Sequence, residues 1–190
     1  MKKTLTFVAA LVLALTTFAQ TKSMVIMVKE NAYQTITGFG AADCDGAMKP
    51  FGTDIIPVRL LYGPNSAVQL NIMRMEISPN FDGDVWGDYD WEGGVPSAKI
   101  VKQYGGIVFG TPWSPPGAYK TNGSAQGGNT EKADAVRGKL REDCYEKFFP
   151  WLNTFLAYMK SRGVKMDAVS IQNEPDWWVN YSGCLYEPAE

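Results

Sequence analysis

An α/β fold organised on a parallel sheet is predicted by three features of the 190-residue sequence. Short strand-like runs alternate with segments of 3.6-residue periodicity, which is the order that βαβ units impose. Residues 142–162 carry a long amphipathic stripe, with Phe148, Leu152, Phe155, Leu156 and Met159 on one face. Residues 70–77 and 168–173 are short apolar runs of strand length.

Taken in chain order, Lys2 and Lys3 precede an unbroken apolar run over 7–15, and small or polar residues follow over 16–20. This is the pattern of a secretory signal peptide cleaved after Ala19 or Gln20. The run is far below the roughly 18 to 20 residues of a membrane-spanning helix. A buried N-terminal helix, the alternative, would not keep its only charges ahead of the run. Residues 24–28 and 34–37 read as a β-hairpin turning at 30–32, and 38–42 as the first strand of the sheet. A weak helix over 53–61 is interrupted by Pro57, and 70–77 is the second strand. The spacing predicts a helix over 95–103 and a third strand over 107–110, ended by the prolines at 112, 115 and 116, which cannot donate to a ladder. The polar, glycine-rich stretch 117–139 is longer than a connector requires and reads as a binding loop or a partly mobile one. The helix over 142–162 tolerates Pro150 near its first turns and stops at Gly163. Residues 168–173 form a fourth strand that delivers Glu174 at its carboxyl end.

Four such units are half of an eight-fold barrel, whose usual size is about 250 residues. The expectation is therefore the N-terminal half of a (β/α)8 TIM barrel. A complete small domain is the alternative, but it would leave strand edges and an apolar layer uncovered. The domain organisation expected is 1–20 signal peptide, 21–37 the hairpin segment, and 38–190 partial barrel.

Composition narrows the chemistry. The formal charge is −2, and loss of Lys2 and Lys3 with the leader would make it −4. No basic stripe is present, which argues against nucleic acid and anionic membranes as partners. The sequence contains no histidine, so neither a histidine-based nucleophilic triad nor a histidine-ligated metal site can be built from it, and no cofactor is expected. Carboxylates remain as the acid/base groups. The three cysteines, Cys44, Cys144 and Cys184, have no CxxC spacing, and in an oxidising compartment one disulfide and one free thiol is the simplest outcome. Cys144 opens the helix over 142–162 and Cys184 lies in the loop after the fourth strand. Their expected common end of neighbouring units favours a Cys144–Cys184 bridge, with Cys44 free, although Cys44 faces the same end.

In a parallel barrel the carboxyl ends of the strands converge on one face, where active sites lie. Asp43, Asp45, Glu76, Trp113, Asn173 and Glu174 fall there. Most such carboxylates are solvated surface groups, but Gln172-Asn173-Glu174-Pro175 sets an acid beside an amide at a strand end. Glycoside hydrolysis needs an acid held in a partly apolar pocket to protonate the leaving oxygen. Trp113, Trp177 and Trp178 are candidates for its walls and for stacking on sugar faces, with Tyr181 beside them; packing in the core is the competing role for these rings.

The succession Gly38-Phe39-Gly40, Leu70 to Arg74, Trp113-Ser114-Pro115-Pro116 with Lys120-Thr121-Asn122-Gly123, Gly163-Val164 and Ser170 to Asp176 resembles glycoside hydrolase family 30. The likeness spans nearly the whole mature chain in order and is nearest the glucuronoxylanase and endo-xylanase branch. It implies a barrel with an attached β-sandwich, to which the hairpin would contribute, and retaining hydrolysis of a β-linked, xylan-type polysaccharide by a protein monomeric at full length. It implies Glu174 as acid/base, Asn173 as the amide contacting the sugar at the cleavage point, Trp113 as an aromatic lining that subsite, and Arg74 as support for the nucleophile. The family's nucleophile belongs at the end of a seventh strand, so this chain is expected to be an inactive fragment. A β-1,6-glucanase, a glucosylceramidase-like enzyme and a non-catalytic carbohydrate-binding module remain as alternatives.

Overall fold

The computed structural model describes residues 34–43, 56–79, 91–128 and 137–188. The leader, the first hairpin arm, Cys44 and Asp45 lie outside these residues. Four strands, β1 (Gly40–Asp43), β2 (Ile72–Ile77), β3 (Ile107–Pro112) and β4 (Ala168–Val169), form one sheet in the order β1-β2-β3-β4, with every pair parallel. Helices α1 (Ile56–Tyr62), α2 (Val95–Gln103) and α3 (Tyr145–Ser161) fall between successive strands. This is the unit order of a barrel wall.

The alternation along β2 divides the structure. Met73, Met75 and Ile77 are fully buried and join Val108, Ala98, Val101, Phe155 and Met159 in the core between sheet and helices. Arg74 and Glu76 stand on the opposite face, because successive strand side chains alternate. The α2 helix begins as the sequence predicts, with Pro96 in its first turn, where no N–H is needed. It buries Val95, Ala98, Ile100 and Val101. The α3 helix buries Phe148, Trp151, Leu152, Phe155 and Met159. It ends in a Schellman arrangement: Gly163 at φ +82 supplies the left-handed residue, Val164 N–H donates to Met159 O at 2.8 Å, and Gly163 N–H to Lys160 O at 3.0 Å. Trp91 closes the end of the core, edge-on to Phe155 at 5.3 Å, with its indole N–H donating to Ser78 O.

Four expectations are corrected. Residues 34–37, read as the second hairpin arm, carry no strand, and no partner strand for them exists among the described residues. The first strand begins and ends later than expected, at Gly40–Asp43. The helix over 142–162 opens with a 3-10 turn, Glu142–Cys144, before α3 proper. The fourth strand has two residues instead of six: Gly110 pairs with Val169, and beyond it β3 runs into Pro112, which has no N–H to offer.

The Cys144–Cys184 bridge is also not formed. Neither residue is in a disulfide, and both are buried within the same core. Each thiol is turned toward groups of its own segment: Cys144 S–H toward Asp143 Oδ1 while Lys147 Nζ donates to its sulfur, and Cys184 S–H toward Leu185 O. Alkylation of the denatured, unreduced protein should therefore label Cys144 and Cys184 on separate peptides. A linked peptide containing both would refute the free-thiol assignment.

Asp43 ends β1 in register with Met75, so it points to the helix layer and away from Arg74. It is 2% exposed, and among the described residues neither carboxyl oxygen has a hydrogen-bond partner. Burial pushes its pKa up to about 7. Nearby, Tyr62 donates its hydroxyl to Ala41 O, and burial, with the Asp43 charge adding to it, pushes that phenol up to about 12. Asp43 thus folds protonated, and stability it carries at low pH is lost as the unfolded chain ionises above about 4 and the folded one does not until about 7. Asp43→Asn has no such loss. The unfolding free energy of Asp43→Asn minus that of the wild type, measured in urea, should rise between pH 4 and pH 8 by up to about 4 kcal/mol. A pH-independent difference would show that Asp43 is not held neutral.

Candidate active site

The site is assembled from β2, the end of β3 and the segment after β4. Arg74 is fixed by three groups. Its Nε donates to Thr111 Oγ1 at 3.1 Å, its Nη2 donates to Asn173 Oδ1 at 2.5 Å, and its guanidinium lies 4.5 Å from the centroid of the Trp113 ring. Thr111 is fully buried and Trp113 is 5% exposed. A half-buried guanidinium so held is a rigid, planar clamp, which lysine could not reproduce. Asn173 is thereby oriented with its amide N–H2 toward Glu174, donating to Oε2 at 3.4 Å. The Tyr181 hydroxyl donates to the same oxygen at 2.5 Å.

Glu174 is half-buried and lies five residues beyond β4. A side chain does the work that the shortened strand leaves undone: Gln172 Nε2 donates to Trp113 O at 2.9 Å and to Cys184 O at 3.2 Å, tying the segment to the loops on both sides. Pro175 then starts a turn in which Trp177 N–H reaches Glu174 O. Among the described residues both side-chain bonds to Glu174 land on Oε2. Oε1 takes part in neither of these bonds.

The residues singled out by sequence do not all gather at one point. Arg74, Trp113, Asn173, Glu174 and Tyr181 form one connected cluster. Tyr181, read as a sugar contact, bonds the carboxylate itself. Arg74, read as support for a nucleophile, orients Asn173 here. Trp177 and Trp178 stand past the turn, 62% and 37% exposed, and Arg137 lies 5.9 Å from the Trp178 ring centroid while donating to Asp176 O. They offer exposed aromatic faces, whereas Trp113 is a buried wall. Cys144 and Cys184 lie in the core behind the site. A hollow of 270 Å³ lined by Ala42, Ile72, Arg74 and Phe109 opens on the polar face of the sheet. A larger one of 590 Å³, lined by Tyr145, Phe148, Phe149, Ile171 and Pro175, is almost wholly apolar and contains no acid. Sequence reasoning missed Thr111, Gln172 and Lys120 as working residues. Only Lys120 had a signal, the one charged residue between the prolines at 115 and 116 and Glu131.

Among the described residues no group of three or more acidic or cysteine side chains converges as metal ligands would. None of the described helices is long and apolar enough to cross a membrane.

No family model matches the chain. It is 37% identical to the glucuronoxylanase XynC of Bacillus subtilis over 114 residues, which is 57% of this chain and 24% of that protein. It is 28% identical to the endo-1,6-β-D-glucanase BGN16.3 of Trichoderma harzianum over 172 residues, 75% of this chain and 34% of that protein. Among solved structures it superposes on the glycoside hydrolase family 30 subfamily 8 xylanase Xyn30A of Clostridium acetobutylicum with a TM-score of 0.61 and 36% identity, covering 80% of this chain and 36% of that one. The chain thus spans about a quarter to a third of the length of these curated relatives. The parallel sheet and its helices are a partial TIM-barrel-like α/β fold, and over the matched part of its length the chain is related to the glycoside hydrolase family 30 xylanases.

Proposed function

We propose that the chain carries the acid/base half of a retaining endo-β-glycosidase acting on xylan or glucuronoxylan. The observation that carries this reading is the Glu174 carboxyl, held on one oxygen by Tyr181 and Asn173 beside the Arg74–Trp113 wall. In such a reaction Glu174 first protonates the glycosidic oxygen as the bond to the anomeric carbon breaks. It then takes a proton from the water that releases the glycosyl-enzyme. A second carboxyl group about 5 to 5.5 Å away must form that intermediate; no residue is assigned to that role here. Trp113 would close the cleavage subsite, with Trp177 and Trp178 stacking on sugar units beyond it. The charged-then-apolar leader supports export, and the lack of a basic stripe suits a carbohydrate better than a nucleic-acid partner.

A second reading, hydrolysis of β-1,6-glucan, draws on the longer alignment to the Trichoderma enzyme. Parallel assays of the full gene product on xylan and β-1,6-glucan separate the two.

Glu174→Gln should lower turnover of the polysaccharide by about 100-fold or more, the usual scale for a lost general acid. An activated aryl glycoside, whose leaving group needs little proton assistance, should still form the intermediate, and azide should restore its turnover. Asp176→Asn, on an exposed turn, should change little. Near-normal polysaccharide activity in Glu174→Gln, with loss in Asp176→Asn, would overturn the acid/base assignment.

A further inference from the structure

Lys120 is the most constrained polar group that the proposed reaction leaves without a task. The residue is 2% exposed, and its ammonium donates to three backbone carbonyls: Ala125 O at 2.9 Å, Gln126 O at 2.8 Å and Gly183 O at 2.5 Å. Three N–H protons meet three acceptors, so the donor capacity is filled. Among the described residues no carboxylate pairs with it. A buried lysine without a counter-ion is costly and persists only where its bonds are complete. Burial pushes its pKa down to about 8, with a smaller coulombic effect of Cys184 opposing this.

The three acceptors come from two segments that form a small antiparallel ladder. Gly127 N–H donates to Tyr181 O at 2.9 Å, Gly183 N–H donates to Ala125 O at 3.1 Å, and Gln126 bridges Ser182. Close approach is possible because both segments place glycine at the crossing. A Cβ on Gly183 would fall 2.6 Å from Val179 Cγ2, and one on Gly127 2.9 Å from the same atom. Lys120 grips both strands of this ladder at once. Tyr181 is part of it, and the Tyr181 hydroxyl is the donor to Glu174 Oε2.

We propose that Lys120 is a positioning residue for the proton donor: by binding carbonyls of both loops it fixes the ladder that holds Tyr181 against Glu174. The proposal rests on the acid/base reading of Glu174. It acts only on the steps that need Glu174 in place. A lysine that merely held the fold would affect every substrate alike.

The test compares Lys120→Met, Lys120→Gln, Tyr181→Phe and Glu174→Gln in the full gene product, each on the polysaccharide it hydrolyses and on an activated aryl glycoside of the same sugar. Lys120→Met and Tyr181→Phe should each lower kcat on the polysaccharide by about tenfold or more, part of the general-acid contribution, while formation of the glycosyl-enzyme from the aryl glycoside changes less than about threefold. Combining the two substitutions should cost little beyond either alone, because both break one connection. Amide hydrogen exchange in Lys120→Met should quicken at 181–183 and 125–127 and stay unchanged in α3. Equal losses on both substrates, additive losses in the double variant, or a Tyr181→Phe protein with unaltered polysaccharide turnover would each overturn the proposal. Failure of both Lys120 variants to fold would do so too, since Lys120 would then be holding the domain. If Glu174→Gln itself leaves polysaccharide turnover intact, the parent reading fails instead, and the two failures are thereby told apart.

Discussion

The side-chain alternation along β2 is the constraint on which both core and site depend. Met73, Met75 and Ile77 are buried against the helices, and the intervening Arg74 and Glu76 occupy the other face. A slip of one residue would exchange the faces, sending a guanidinium into a layer of Phe155, Met159 and Val101. Pairing on both sides fixes the register, with Arg74 beside Ala42 on β1 and Phe109 on β3. Met73, Met75 and Ile77 together bury several kcal/mol of apolar side chain, on the order of 1.5–3 kcal/mol each. That burial holds Arg74 at the one height where it meets Thr111, Trp113 and Asn173 together.

Past the strand ends, side chains replace the ladder. Pro112 removes a donor where β4 would continue, and the chain from Ser170 onward is placed by bonds from Gln172, Lys120 and Arg74 to backbone or amide oxygens. Such bonds are directional but individually modest, about 1 kcal/mol net. Their number matters more than the strength of any one. A segment held in this way can place Glu174 beyond a strand of only two residues and still leave the loop surface, with Trp177 and Trp178, open to solvent.

How much of this was legible in the sequence follows from which forces each feature depends on. Helix α2 has the ends that its spacing predicts, because the apolar period is a local signal. The core strands were read because apolar runs of that length bury themselves in any parallel sheet. The length of β4 was not legible, since it depends on a proline in another strand and on a register that only the fold supplies. The bridge between Cys144 and Cys184 was inferred from a shared end of the barrel, and thiol direction is invisible at that level. Asn173 and Glu174 stand out from their place at a strand end and Arg74 from the resemblance, yet the partnership of Tyr181 with Glu174 is a matter of distances across a seven-residue loop. Lys120 was in view as part of a motif, and its burial was not, because lysine in a polar loop is ordinarily solvated.

The placement of charge follows a single logic. A direct ion pair to lysine or arginine favours the ionised form of a carboxyl group. Here two buried or half-buried cations stand close to the site, and each is separated from Glu174 by a neutral link. Between Arg74 and Glu174 stands the amide of Asn173, and between Lys120 and Glu174 stand a backbone ladder and the phenol of Tyr181. Their charge is taken up by carbonyls, a hydroxyl and an indole face. What reaches the carboxyl from these neighbours is two neutral donors on one oxygen, the amide of Asn173 and the phenol of Tyr181.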